Sequence, residues 1–132
     1  MQRIHEMDEG IRPYDYFNKV MGGKWKPFII RGIAFKGFVR FNELTYILGV
    51  TPKVLKQQLD ELENDGIIER VVYNQVPPRV DYVFTEEGKE LVPIYDMIYK
   101  WALKRLEEKK EKVAPYSYVY HQNDKDDNSA SN

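Results

Sequence analysis

The amino-acid sequence predicts an α+β domain that is mostly helical and carries one β-hairpin of two to three strands. Apolar residues recur at three- and four-residue spacing through most of the chain, which is the period of an amphipathic helix. The exception is a pair of segments rich in β-branched and aromatic residues, which two adjacent prolines separate. The 132 residues suit one domain, and we expect a flexible arm at 1–12, the domain at 13–112 and a largely disordered tail at 113–132.

Four helices are expected before the hairpin, over residues 15–20, 24–35, 40–49 and 51–64. Gly22-Gly23 follows the first and Gly37 follows the second, and glycine commonly ends a helix. The fourth begins at Thr51-Pro52, because threonine is a good N-cap and proline is favoured in the first helical turn.

The third and fourth helices are joined by Leu48-Gly49-Val50-Thr51. Gly49 permits a sharp bend, and Val50 can fill the corner between the two helices. Two helices joined by a tight turn that contains glycine form a helix-turn-helix unit.

A hairpin is predicted directly after this unit, with strands at 67–73 and 80–85. The loop between them contains Pro77-Pro78, which cannot pair inside a strand and should make the loop stiff and exposed. We expect Arg79 to lie at the tip of this hairpin. A helix-turn-helix followed by such a hairpin is a winged helix.

A last helix is expected from Thr85 to about Lys112, with a bend near Pro93. Its apolar stripe is broad, and the first and last helices together are rich in aromatic residues, which favours a twofold dimer interface over a ligand pocket. The residues expected in the dimer interface are Phe17, Tyr95, Ile98, Trp101 and Ala102.

Several kinds of chemistry are excluded or disfavoured by composition. The chain has no cysteine, which removes disulfides, thiolate catalysis and thiol-based sensing. Its two histidines, His5 and His121, lie in polar surroundings near opposite ends, so a metal site is not expected. No catalytic motif, cofactor motif or membrane-spanning apolar run is present. We therefore expect a cytoplasmic protein that is not an enzyme and has no cofactor.

The net charge of −1 gives no overall argument for nucleic acid, but the charges are unevenly distributed. Residues 36–58 hold four basic residues and one acidic residue, whereas 60–69 hold five acidic residues and no basic one. The helix that starts at Thr51 thus has a basic beginning, as expected for a helix that presents its N-terminus to a polyanion.

The exposed face of this helix carries side chains that can read DNA. Lysine can donate to guanine or to phosphate, glutamine can pair with adenine, and the free N–H groups of a helix N-terminus can hold a phosphate. The residues expected to contact DNA are Arg40, Thr51, Lys53, Lys56, Gln57 and Arg79.

Five segments closely resemble the HxlR-type regulators, which are winged helix-turn-helix transcription factors related to the MarR type. The segments are Gly22-Gly23-Lys24-Trp25, Arg40-Phe41-Asn42-Glu43-Leu44, the run 55–70, Pro77-Pro78-Arg79-Val80-Asp81-Tyr82, and Thr85-Glu86-Glu87-Gly88-Lys89. The resemblance extends from about Pro13 to Leu106. It implies a homodimer on DNA, with the Thr51 helix in the major groove, the Arg79 hairpin as the wing, and the first and last helices at the dimer interface.

One departure from the family pattern matters for regulation. Many members resembling this chain have a cysteine immediately before the proline at the position of Pro13, and here that residue is Arg12. Thiol sensing therefore does not carry over. A signal would have to come from a small-molecule effector, from a partner or from protein abundance.

Two other functions remain open on sequence grounds. The first is a winged-helix module that binds protein and never touches DNA, which a neutral or acidic recognition face would favour. The second is a small-molecule-binding or catalytic protein that uses the aromatic interface, which would require converging polar groups. The expected partners are double-stranded DNA, a second copy of the chain and an unidentified effector, with no membrane.

Overall fold

The computed structural model describes residues 9–114, and the arm and tail expected outside that range lie largely beyond it. The described part of the chain begins with four helices, continues into one antiparallel hairpin and ends with a short and a long helix. The elements are α1 (Pro13–Met21), α2 (Lys26–Lys36), α3 (Phe41–Leu48), α4 (Pro52–Asn64), β1 (Ile68–Tyr73), β2 (Arg79–Phe84), α5 (Glu86–Lys89) and α6 (Leu91–Glu108).

The helix-turn-helix unit is formed by α3 and α4, as predicted. Gly49 ends α3 in the left-handed region, at a φ of 67°, and its N–H donates to the Thr45 carbonyl. Thr51 is the N-cap of α4, where its hydroxyl accepts from the Val54 N–H at 3.2 Å. Val50 between them packs against the buried core. The turn thus fixes the direction in which α4 leaves α3.

A single core lies beneath α4. Leu55, Leu59 and Leu62 are fully buried along one face of this helix, at the spacing that directs them to the same side. They belong to one apolar cluster whose other members come from α1, α2, α3, the sheet and α6. Because its inner face is fixed in this core, α4 must present its opposite face to solvent.

The hairpin has the predicted antiparallel topology. β1 pairs with β2 in a register that runs from Ile68 opposite Phe84 to Tyr73 opposite Arg79. A third, single-residue strand is added by Val39, which exchanges two backbone hydrogen bonds with Tyr82 at 3.0 and 2.9 Å. The winged helix expected from the sequence is therefore confirmed.

The prediction of a single helix from Thr85 to about Lys112, bent near Pro93, was wrong in its continuity and its end. The chain forms the short α5, breaks at Glu90, and starts α6 at Leu91, so that Pro93 lies in the first turn of α6, where a proline is tolerated. Gly88 lets α5 approach the strand closely, because a Cβ at this position would lie 2.0 Å from the Ile67 carbonyl oxygen. At the far end, α6 stops at Glu108 rather than at Lys112.

Candidate nucleic-acid interface

The amino-terminal end of α4 is open to solvent. Thr51, Lys53, Lys56 and Gln57 are all exposed, as predicted from the spacing of the buried leucines. Within residues 9–114, Lys53 has no ion pair and no side-chain hydrogen bond. Its ammonium group is therefore available to an incoming phosphate or base at the end of the helix that already favours anions.

Lys56 is less available than the sequence indicates. Its Nζ donates to Oδ2 of Asp60, one turn along the helix, at 2.7 Å. This hydrogen bond is the main reason that the pKa of Lys56 is raised above its ordinary value. Both side chains are exposed, so the pair can exchange its partner for a phosphate at small cost.

Gln57 is likewise engaged within the helix. Its Nε2 donates to Oε2 of Glu61 at 3.2 Å, and Oε1 of Glu61 lies 2.7 Å from Nζ of Lys26. The hydrogen bond from Lys26 is the main cause of the lowered pKa of Glu61, and that from Gln57 adds to it. One N–H of the Gln57 amide is therefore used within the helix, whereas the amide has a second N–H and a carbonyl oxygen.

Lys26 is a residue that the sequence reasoning missed. It is only 1% exposed, and its Nζ donates to the Val20 carbonyl at 2.8 Å while pairing with Glu61. It thereby connects the end of α1 to the carboxyl-terminal half of α4. A lysine in the first turn of α2 has no signal in the sequence that distinguishes it from a solvated one, because its burial depends on the tertiary arrangement of three helices.

Arg79 does not lie at the tip of the wing. The tip is the exposed loop 74–78, whereas Arg79 is the first residue of β2 and is paired across the sheet with Tyr73. Its guanidinium stacks on the Tyr73 ring, 3.8 Å from the ring centroid. Within the described chain its Nε is buried without a hydrogen-bond partner. The side chain is thus oriented by stacking, and it remains 37% exposed.

Arg40 and Arg79 converge on one carboxylate. Nε of Arg40 donates to Oδ1 of Asp81 at 2.9 Å, and Nε of Arg79 lies 3.8 Å from the same oxygen. Asp81 is 4% exposed, whereas both arginines are partly exposed. Two cations and one anion give this cluster a net charge of +1 where the start of α3 meets the wing. We call Arg40, Arg79 and Asp81 the wing-base cluster.

A groove runs beside this cluster, between the start of α3 and the wing loop. Its volume is about 480 Å³, and Asn42, Gln75 and Pro78 contribute to its walls together with both arginines. A second groove of about 350 Å³ lies between α4 and the hairpin, where Lys56 and Arg70 face each other across Asp60 and Glu63. The surface between α4 and the wing is therefore concave and carries both signs of charge.

The basic character of residues 36–58 is reduced by pairing within the fold. Lys36 pairs with Glu43, Arg40 with Asp81, and Lys56 with Asp60. Of the four cations counted in the sequence, Lys53 is the one that lacks an acidic partner among residues 9–114. The predicted excess of positive charge is thus concentrated at the first turn of α4.

The residues predicted at a dimer interface fall into two groups. Tyr95 is buried within the chain, and the half-buried Phe17 packs against it with ring centroids 6.2 Å apart. Ile98 and Trp101 are exposed on α6, Trp101 at 63%, and Ala102 is half-buried beside them.

Two further exposed apolar side chains continue this stripe on α6. Ile94 and Met97 lie one turn before Ile98 and Trp101, and Met97 is 72% exposed. Met97 was missed although its spacing of four residues to Trp101 could have placed it there. The outward face of α6 thus carries a continuous apolar stripe, which we call the α6 stripe: Ile94, Met97, Ile98 and Trp101.

Residues 9–114 contain no group of three or more potential metal ligands and no helix that is both long and apolar enough to span a membrane. His5 and His121 lie outside the described residues.

Comparison with known proteins gives consistent matches. A model of the HxlR-like helix-turn-helix family matches residues 20–110. The regulatory protein MalR of Fusobacterium mortiferum is 46% identical over 88 residues, which are 66% of this chain and 83% of MalR. The HTH-type transcriptional regulator YtcD of Bacillus subtilis (strain 168) is 48% identical over 84 residues, which are 63% of this chain and 66% of YtcD.

Among solved structures, the redox regulator HypR in its reduced form matches with a TM-score of 0.68 and 39% sequence identity. The match covers 75% of this chain and 98% of the HypR chain. The region of the family match, residues 20–110, includes the end of α1 and every later helix and strand.

Proposed function

The chain belongs to the HxlR-like helix-turn-helix family of transcriptional regulators, and from this premise we propose that it binds a pseudo-palindromic operator as a homodimer, with α4 in the major groove. The role as a transcriptional regulator follows from the family. The operator, the homodimer and the placement of α4 are inferred from the surfaces described above. The proposal gives the chain no catalytic role and no cofactor, and it places the protein in the cytoplasm.

The observation that carries the proposal is the exposed first turn of α4. Lys53 stands without an acidic partner in the described chain, next to a capped helix N-terminus. The helix dipole favours an anion at this end, and the lysine adds a full charge. We assign Lys53 and Thr51 to phosphate contacts, and Lys56 and Gln57 to base edges, which they reach by exchanging their acidic neighbours for DNA.

The wing-base cluster supplies the second anchor. Arg79 is fixed by the Tyr73 ring and by the ion pair of its Nε with Asp81, which is too long to be a hydrogen bond. Arg40 is held by the same carboxylate. Preorganised guanidinium groups at this edge suit phosphate contacts that position α4, because such contacts fix register without reading sequence. The exposed loop 74–78 is then the part of the wing nearest to the minor groove.

The α6 stripe supports a dimer. Four large apolar side chains share one exposed face of an 18-residue helix, and a face of this kind is normally covered by a partner. A twofold dimer through α6 would present two copies of α4 to half-sites about one helical turn of DNA apart, roughly 34 Å. We assign Ile98, Trp101 and Ala102 to this interface, with Met97 and Ile94 added.

The experiment is selection of duplexes from a random library by the full-length chain, at two salt concentrations. We expect enrichment of an inverted repeat whose affinity falls as salt rises, because bound phosphates release counterions. Enrichment of a single half-site would retain DNA recognition and contradict the dimer. Failure to enrich any sequence would favour the alternative of a winged-helix module that binds protein.

A further inference from the structure

A cleft separate from the DNA-facing surface lies between α2 and α6. Its volume is about 270 Å³, the size of a small organic molecule rather than of a peptide. Its walls are mostly apolar, with Ile30, Phe35, Val92 and Tyr95 among them. The two charged side chains in its lining are Arg31 and Asp96.

Arg31 is a largely buried cation, and one of its N–H donors is unsatisfied within residues 9–114. Its side chain is 15% exposed, and its Nε is buried without a hydrogen-bond partner in the described part of the chain. Its contact to Asp96 is 3.9 Å long, between Nη1 and Oδ1, which exceeds hydrogen-bond distance. A guanidinium has five N–H donors, and buried donors of this kind are normally satisfied. The cleft is therefore lined by a residue with a donor that lacks a hydrogen-bond acceptor.

Asp96 does not act as this acceptor, because it pairs more closely with Lys100 than with Arg31. Nζ of Lys100 lies 2.9 Å from Oδ2 of Asp96, on the outer side of α6. Arg31, Lys100 and Asp96 together carry a net charge of +1. The site thus has a residual positive charge beside an apolar cavity, which favours an anion over a neutral or cationic ligand.

The orientation of Arg31 further restricts the class of ligand that the cleft can bind. The guanidinium of Arg31 stacks on the ring of Tyr99, 4.0 Å from the ring centroid, so the plane of its donors is fixed. A planar carboxylate can accept two parallel hydrogen bonds from such a group. From these features we propose that the α2–α6 cleft binds a small organic acid whose carboxylate pairs with Arg31 and whose compact apolar or aromatic body fills the space between Phe35, Val92 and Tyr95.

The cleft is independent of the surfaces used in the proposed function. Val92, Tyr95 and Asp96 lie on the side of α6 that faces α2, whereas the α6 stripe lies on the side that faces away. No residue assigned to DNA contact lines the cleft. A ligand can therefore be tested on the protein alone, and a failure to bind DNA would leave this inference unaffected.

The test is titration of the full-length ¹⁵N-labelled protein with benzoate, followed by amide chemical shifts, with benzamide as the neutral analogue of equal size. We expect saturable shifts centred on α2 and the first half of α6, with benzoate concentrations up to about 10 mM covering the weak range for a ligand this small. Benzamide should bind about tenfold more weakly or worse, because it lacks the charge that pairs with Arg31.

Three variants locate the site. Arg31→Met should weaken benzoate binding about tenfold or more, and Ala34→Phe should block it by filling the cleft from an exposed helix position without touching the guanidinium. Arg105→Met is the matched control, because Arg105 also stacks on an aromatic ring, Trp101, but lies outside the cleft. An amide spectrum like that of the native protein is the check that each variant is folded.

Three results of the titrations and one result of the control would overturn the proposal. The three titration results are equal binding of benzoate and benzamide, unchanged binding by Arg31→Met, and the absence of saturable shifts around the cleft. The last result would mean that water alone satisfies Arg31. An equal loss in Arg105→Met and Arg31→Met would also overturn it, because the effect would then come from net charge rather than from the cleft.

Discussion

The ammonium group of Lys26 lies 2.7 Å from a carboxylate oxygen of Glu61, although Lys26 is almost completely buried. The same ammonium donates to the carbonyl of Val20 at the end of α1. One side chain thus connects the last turn of α1, the first turn of α2 and the carboxyl-terminal half of α4. Because α4 is the helix proposed to enter the major groove, this pair contributes to how that helix is held relative to the rest of the domain.

Removing the negative charge of this pair should destabilise the fold. We expect Glu61→Gln to lower the free energy of unfolding by about 1–3 kcal/mol, because it leaves a buried ammonium without its counter-charge while Glu61 itself is partly exposed. Denaturant unfolding measures the change. Glu63→Gln is the control, since Glu63 is exposed on the same helix and should shift the free energy by less than about 0.5 kcal/mol. Equal effects of the two variants would contradict a special role for Glu61.

The same pair predicts a pH dependence. The pKa of Glu61 is lowered in the folded state from its ordinary value of 4.5, chiefly by the hydrogen bond from Lys26. A lowered pKa means that the contribution to stability is fully present above pH 4.5 and is lost as the pH falls through the folded-state pKa. The stability difference between the native protein and Glu61→Gln should therefore be constant near neutral pH and shrink below pH 4.5. A difference that stays constant down to acid unfolding would refute this.

Loss of Arg79 should weaken DNA binding and flatten its salt dependence. Each phosphate contact contributes about 0.9 to the slope of log affinity against log salt, so Arg79→Ala should reduce the slope by about that amount per half-site. Anisotropy titrations at several salt concentrations measure this. Lys89→Ala, at an exposed position on α5, should leave the slope unchanged. An unchanged slope in Arg79→Ala would argue against a phosphate contact, though groove insertion would remain compatible with it.

The wing-base cluster makes a prediction that separates positioning from charge. Asp81→Asn removes a negative charge beside Arg40 and Arg79, so a purely electrostatic account expects tighter DNA binding. We expect weaker binding, by about tenfold, because the carboxylate orients at least one of the two guanidinium groups. The measurement is operator affinity at fixed salt, with the native circular-dichroism spectrum as the check on folding. Tighter binding would show that Asp81 only screens the arginines.

The α6 stripe should hold the dimer together. Trp101→Glu places a charge in the proposed interface and should shift the protein to monomer at micromolar concentration, as measured by sedimentation velocity. Lys104→Glu is the matched control, because Lys104 is an exposed residue on the same helix and outside the α6 stripe. A native protein that is already monomeric, or a Trp101→Glu variant that remains dimeric, would contradict the assignment.

Local sequence signals account for most of the fold. The turn into α4 could be predicted because Gly49, Thr51 and Pro52 each have a conformational preference that agrees with the spacing of the buried leucines. The break between α5 and α6 could not be predicted in this way, because no glycine or proline marks Glu90, where the break lies.

In the candidate site too, some features follow from the local sequence and others depend on contacts that the local sequence does not determine. The exposed face of α4 follows from helical periodicity, so Lys53, Lys56 and Gln57 are placed correctly on the surface. Their acidic partners depend on rotamers and on Lys26, which periodicity does not encode. Arg79 was expected at the tip of the wing, but the strand register pairs it with Tyr73, and register is set by contacts across the sheet rather than by the loop sequence.

The most direct test of the central claim compares two duplexes of equal length and composition, the selected inverted repeat and its scrambled version, at one salt concentration. We predict that the protein binds the repeat about a thousandfold more tightly. Lys53→Ala should weaken binding to both duplexes to a similar degree, as expected for a phosphate contact. Equal affinity of the native protein for the repeat and the scrambled duplex would contradict sequence-specific recognition by α4.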